Sequence, residues 1–486
     1  MRASILSILP FVAVIPVALL TRQVIAGLVA GLLVGSFLLT PDWLGGFNTF
    51  LAYLFKELAV PGNLHLVVFL WAFGALTGLM QATGGVSGFA RWLEPRVRSA
   101  RSAFAVTWLS ALATFMAPDF RIITVAPIMR PVSERFHVAR ERLAYAIDVT
   151  STPLIALIPV GTVFVGYMLG LLSVGLKHIG LATPAFPFFL STIPLNFFAW
   201  AILAIGLYLS FAAPARERAK GGTRGRLRRA AAARQAALAE TGALGGPPAS
   251  AGREGGAADR ERGDAVNLIA PIALLLVLIF FLTWWSGHLR AHTPLGILVY
   301  ADAAKAMLQA ALITLLAISV FYAWRRQPLD RIMNAILRGG NEMMPVIVLL
   351  ALVWAVSGAA ADLGFVPYVS RALGSALPRL LIAPGLFVLG SVISYFIGSS
   401  FGTWGILMPL GFSLAASAHL PLALAAGAVF ASGTLGGFAS PLSDNTVAMA
   451  TVLDLPPLSF ARTLLGTTVA AGAAATVGYA AMGLVM

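Results

Sequence analysis

Four short clusters in this sequence place carboxylates, hydroxyls or both beside helix-breaking residues inside apolar stretches. DVTSTP runs from Asp148 to Pro153 and includes Thr150 and Ser151. SPLSDNT runs from Ser440 to Thr446 and includes Ser443, Asp444 and Asn445. FIGSSFGTWGILMPLG, at 396–411, carries Gly398, Ser399, Ser400, Gly402 and Thr403, and APDFR, at 117–121, carries Asp119 and Arg121. Proline removes an amide and breaks a helix, and glycine lets the backbone turn and be approached closely. Oxygens at such breaks suit a small ion, and freed amides suit a carboxylate. An Asp within a membrane helix is by default a functional candidate, here for ligand binding or proton exchange. Structural roles stand beside these: Asp444 as a cap of a broken helix, Asp119 and Arg121 as a mutual ion pair, and the Gly/Ser run as a close helix contact.

The elements holding these clusters must be membrane spans. Of 486 residues, 59% are hydrophobic and 11% charged, with mean hydropathy +0.88; soluble domains carry roughly 25% charged residues. Apolar runs long enough for a hydrocarbon core of ~30 Å recur from end to end. The absence of cysteine excludes disulfides, Cys-based zinc sites and thiol catalysis. The six histidines form no HExxH pair. No nucleophile–base pair or metal-ligand set supports an enzyme. The first 20 residues lack a small-residue cleavage site and are expected to be a retained helix.

The net charge of +14 sits between apolar runs and reads as orientation, not as nucleic-acid binding. Residues 214–265 hold eleven Lys/Arg and six Asp/Glu among Ala and Gly. They are expected to be a disordered basic cytoplasmic linker. Threading outward from that linker puts Arg130, Arg135, Arg140 and Arg142 inside. Arg91, Arg96, Arg98 and Arg101 belong inside as well, yet only one apolar segment, 102–129, separates the two groups. It must enter and return, as a re-entrant hairpin with its tip near 117–121. The block 381–419 is too long for one span and reads as a second hairpin. Outside the linker, and leaving out Arg121, 14 Lys/Arg then lie inside and seven outside. Each half, 1–213 and 266–486, contains three spans, a hairpin and two further spans, the first of them broken. The expected fold is an all-α polytopic membrane protein with about ten transmembrane helices, two re-entrant hairpins and an inverted-topology repeat.

SSFGTWGILMPLG and ASPLSDNTVAMAT resemble two hallmark segments of the NhaC family of Na⁺/H⁺ antiporters. In the first half, MRPVSERFHVARERLAYAIDVTSTP is similar to a third. The resemblance covers roughly residues 60–165 and 340–465. It implies an ion-transporter fold and exchange of a monovalent cation for protons. Carried over by position, Ser399, Ser400, Thr403, Ser440, Ser443, Asp444 and Thr446 would shape the second-half site, and Asp148 and Thr150 the first. Departures are specific. The family's paired acids ahead of the arginine segment become FMAPDFR, with Asp119 kept and Arg121 added; its GDH becomes GGF at 436–438; and its SDTT becomes SDNT, with Asn445. Arg121 would suit the carboxylate of an organic acid or amino acid.

The candidate ion- or substrate-binding residues are therefore Asp119, Arg121, Asp148, Thr150, Ser151, Ser399, Ser400, Thr403, Ser440, Ser443, Asp444, Asn445 and Thr446, with Asp444 and Asp148 as the expected Na⁺ ligands. The expected function is Na⁺/H⁺ antiport by alternating access, with ion-coupled transport of a small organic acid or amino acid as the alternative. No cofactor is expected beyond transported Na⁺ and H⁺. The expected partners are small ions or a small-molecule substrate and the lipid bilayer, with no nucleic acid; a homodimer is compatible with the sequence. The expected location is a bacterial inner membrane, with both termini periplasmic.

Overall fold

The computed structural model describes residues 5–136, 138–181, 183–212, 263–293, 296–297, 300–365, 367–369 and 378–485. Nearly all of the linker expected at 214–265 lies outside them. The first half contains α1 (Leu9–Thr21), α2 (Val24–Leu39), α3 (Trp43–Leu58), α4 (Pro61–Ala82) and α5 (Gly85–Leu93). Then come α6 (Ala100–Leu109), α7 (Ala111–Thr114), α8 (Pro118–Arg135), α9 (Arg140–Val149), α10 (Thr152–Ile155), α11 (Val163–His178), α12 (Ala185–Thr192) and α13 (Phe197–Phe211). The second half contains α14 (Val266–His288), α15 (Ala303–Trp324), α16 (Leu329–Glu342), α17 (Met344–Asp362) and α18 (Arg379–Ile397). It ends with α19 (Ser400–Ser417), α20 (Leu422–Ala439), α21 (Asp444–Val452) and α22 (Pro457–Val485).

The protein is an all-α polytopic membrane protein. Among the described residues, seven helical segments are long and apolar enough to cross a membrane, or eight if α12 and α13, bent by 47° at their junction, form one span. Ile5–Thr21, Val24–Leu39 and Val163–His178 are shorter apolar helices. Each half has two apolar helices, an amphipathic helix (α3 or α16), a further apolar helix, two helices joined by a tight turn, an interrupted helix and a final apolar segment.

The helices sort into two groups, each drawn from both halves. In one, α2 packs on α1, α3 and α17, and α4 packs on α15 and α16. In the other, α20 packs on α18 and α19, α8 on α21, and α13 on α22. The groups meet chiefly through α11, which touches α4, α17 and α19.

The amphipathic elements follow from spacing. In α16, Ile332, Ala335, Ile336 and Gly339 are buried, an i, i+3, i+4, i+7 stripe that marks one helix face. Glycine makes its contact with α4 close: a Cβ on Gly78 would lie 2.7 Å from Gly339 Cα. In the core, large aromatics bury their rings while satisfying their polar edges. Trp354 Nε1 donates to Gly170 O at 3.0 Å, and Trp404 Nε1 to Phe430 O at 2.9 Å. These two fully buried side chains join α17 to α11 and α19 to α20.

Candidate functional site

The chain turns between α18 and α19 at Gly398 and Ser399, inside the Gly/Ser run that stands out in the sequence. Gly398 has φ +77°, a region that costs an L-residue roughly 1–2 kcal/mol. Space demands glycine as well. A Cβ there would lie 2.6 Å from the carbonyl carbon and oxygen of Leu442 and 2.8 Å from Ser443 N. The hairpin tip is thus seated directly on the backbone break between α20 and α21.

Hydroxyls stitch that seat together. Ser399 Oγ caps α19 by accepting from Gly402 N at 3.1 Å, and Thr403 Oγ1 donates to Ser399 O at 3.0 Å. Ser400 Oγ donates to Gly433 O at 2.9 Å, Ser440 Oγ to Tyr395 O at 2.6 Å, and Ser443 Oγ to Gly437 O at 2.7 Å. The bonds to Tyr395 O and Gly437 O satisfy carbonyls in the last turns of their helices, which would otherwise be left bare. Ser400, Thr403, Ser440 and Ser443 are buried. Thr446 is fully buried, and its Oγ1 has no hydrogen-bond partner in the structure.

The two halves meet at their breaks. Asn445 Nδ2 donates to Thr152 Oγ1 at 2.7 Å, from the first turn of α21 to the start of α10. Asp444 is the first residue of α21 and Asp119 the second of α8, and these two helices pack together. Helix N-termini favour negative charge. Both side chains are exposed at the protein surface although each belongs to a membrane-embedded element. Asp119 feels the charges of Asp444 and of Glu342, the last residue of α16. Two further acids, from two other elements, thus lie within electrostatic reach of Asp119.

Arg121 points elsewhere. It is fully buried, and its Nη1 donates to Ser110 Oγ at 3.3 Å and Thr114 Oγ1 at 2.7 Å. Its Nη2 donates to Thr107 O at 2.7 Å and Thr150 Oγ1 at 2.6 Å. Among the described residues no ion pair joins it to Asp119. The guanidinium binds α6, α7 and the end of α9 to α8 through neutral oxygens, and both terminal nitrogens are engaged. The first hairpin turns at Phe115–Ala117, a few residues ahead of the tip expected at 117–121, so Asp119 and Arg121 sit in the opening turn of its return helix.

Asp148 is the most isolated acid among the described residues. It is fully buried, and neither carboxylate oxygen has a hydrogen-bond partner. An ion in such a place carries a large desolvation penalty with nothing to offset it. Ser151, one turn on, donates its hydroxyl to Ile147 O at 2.7 Å. Among the sequence candidates, the structure therefore joins Arg121 to Thr150, couples Asp119 to Asp444, and seats Ser399, Ser400 and Thr403 against the Ser440–Ser443 break. Thr107, Ser110 and Thr114 belong to the site and were not singled out from the sequence; Thr152, inside the DVTSTP stretch, and Glu342, whose sequence position at the edge of a span reads as interfacial, were not among the candidate site residues. The first three fall at i, i+3 and i+7, one face of a helix, and that spacing beside a membrane arginine was the available signal.

The Na⁺/H⁺ antiporter family model matches residues 5–200 and 162–484. An uncharacterized protein of Haemophilus influenzae is 26% identical over 99% of this chain and 91% of its own length. The Na⁺/H⁺ antiporter NhaC of Bacillus subtilis is 28% identical over 43% of this chain and 41% of its own. The arginine/ornithine antiporter ArcD of Halobacterium salinarum is 27% identical over 34% of this chain and 33% of its own. In fold, the chain is similar to the YdaH transporter of Alcanivorax borkumensis, with a TM-score of 0.55 at 15% identity, covering 90% of this chain and 88% of that one. With the family model matched across nearly the whole chain, the protein belongs to the Na⁺/H⁺ antiporter family.

Proposed function

We propose that this antiporter exchanges Na⁺ for protons by alternating access, with Asp444 and Asp119 as the acids that meet the transported ions. The observation that carries this is their placement: one acid from each half, both exposed, at the starts of two helices that pack together. Two mutually repelling carboxylates are relieved by a proton or by a cation, which is the competition that antiport requires. Asp148, buried without partners, suits a role in which a proton or cation satisfies it during the cycle. We place the protein in a bacterial inner membrane, with Arg130–Arg142 and the linker on the cytoplasmic side, following the distribution of basic residues.

A second substrate class is favoured by the sign of the charges. Three neighbouring acids suit a cationic amino acid, and one relative is an arginine/ornithine antiporter. An organic anion held by Arg121 lacks this support, because both terminal nitrogens of that guanidinium are already bonded within the protein. Proteoliposome flux with Na⁺, Li⁺, K⁺, arginine, ornithine and a set of carboxylates separates these readings. Na⁺-dependent proton movement is the expected result. Exchange of amino acids with no response to Na⁺ would replace it with the second reading.

A further inference from the structure

We propose that the Arg121 guanidinium is a tethered cation filling an oxygen cage, and that the cage accepts a free monovalent cation once that side chain is removed. The cage has four walls: the hydroxyls of Ser110, Thr114 and Thr150 and the carbonyl of Thr107. Each hydroxyl has its own proton committed to a backbone carbonyl, which for Ser110 is the Thr107 wall itself. Ser110 Oγ donates to Thr107 O at 2.7 Å, Thr114 Oγ1 to Ser110 O at 2.8 Å, and Thr150 Oγ1 to Ala146 O at 2.7 Å. The lone pairs facing inward are therefore fixed as acceptors before any ligand arrives. All four residues are fully or almost fully buried, and no acid forms an ion pair with the arginine among the described residues. A preformed set of neutral oxygens around one positive charge is the chemistry of a monovalent-cation site.

The second half provides the contrast. Its hairpin carries no basic residue from Leu380 to Ser417. Thr403 occupies the place that Arg121 has in the first, four residues beyond the residue capping the return helix. Where one half holds a guanidinium, the other holds a small hydroxyl. With the first cage filled from within, the exchange proposed above is left to the accessible acids Asp119 and Asp444.

The test compares purified wild-type protein with Arg121→Ala, in choline buffer and with added NaCl, KCl or guanidinium chloride. Thermal unfolding and the number of cations bound are the readouts. Arg121→Ala is expected to unfold at lower temperature in choline, to regain several degrees with at least one small cation, and to bind about one more cation per chain than wild type. An Arg121→Ala protein that responds to each cation no more than wild type does would overturn the proposal. If Arg121→Ala cannot be recovered, Arg121→Lys and Arg121→Gln decide. Recovery of the lysine variant alone supports a tethered charge; equal behaviour of the two overturns it. Binding is read without flux, so the result is independent of which substrate is exchanged.

Discussion

Asn445 on α21 and Thr152 on α10 are 2.7 Å apart, and their hydrogen bond joins the interrupted spans of the two halves. Both residues are buried. A buried bond of this kind contributes about 1 kcal/mol net, and an orphaned partner costs more.

Asn445→Ala and Thr152→Val should each lower thermal stability, and the double variant should lose less than the sum. The coupling expected from a double-mutant cycle is about 1 kcal/mol. Additive losses would show that the contact does not join the halves energetically.

Gly398→Ala tests the seat of the second hairpin. Positive φ and the backbone of Leu442 and Ser443 both oppose a side chain there. The variant should lose at least about 1 kcal/mol of stability, visible as a lower unfolding temperature, and should transport poorly. Gly385, around which a Cβ would meet nothing within 4 Å, is the control, and Gly385→Ala should behave as wild type. Equal stability of the two variants would refute the close seating of the tip.

Much of this architecture was legible because membrane burial makes polar residues conspicuous. The breaks at 148–153 and 440–446 and the turn at Gly398 stood out as Pro, Gly and hydroxyls in apolar surroundings. The amphipathic helices α3 and α16 were not read, because a search for apolar spans passes over helices with only one buried face. Nor was the engagement of Arg121 legible. Its partners Thr107, Ser110 and Thr114 look like ordinary helix hydroxyls until an arginine is folded against them. Accessibility was the other gap: sequence position put Asp444 within a span, whereas the break leaves it at the surface.

The side on which the first hairpin begins and ends can be read chemically. Arg96→Cys and Arg135→Cys, each in the natively cysteine-free chain, should both be labelled from the cytoplasmic face only. Labelling of one from the opposite face would make the intervening segment a plain span and remove the inversion between the halves.

The central claim is that cation and proton compete at the Asp444–Asp119 pair. Its most direct test is Na⁺-driven proton movement in proteoliposomes containing wild type, Asp444→Asn or Asp119→Asn. Asparagine keeps the shape and removes the titrating charge. Each variant should insert and unfold near the wild-type temperature, since both side chains are exposed. Exchange should fall at least about tenfold, the equivalent of ~1.4 kcal/mol, with Asp444→Asn the more severe. Wild-type Na⁺/H⁺ exchange in a folded Asp444→Asn protein would contradict the account.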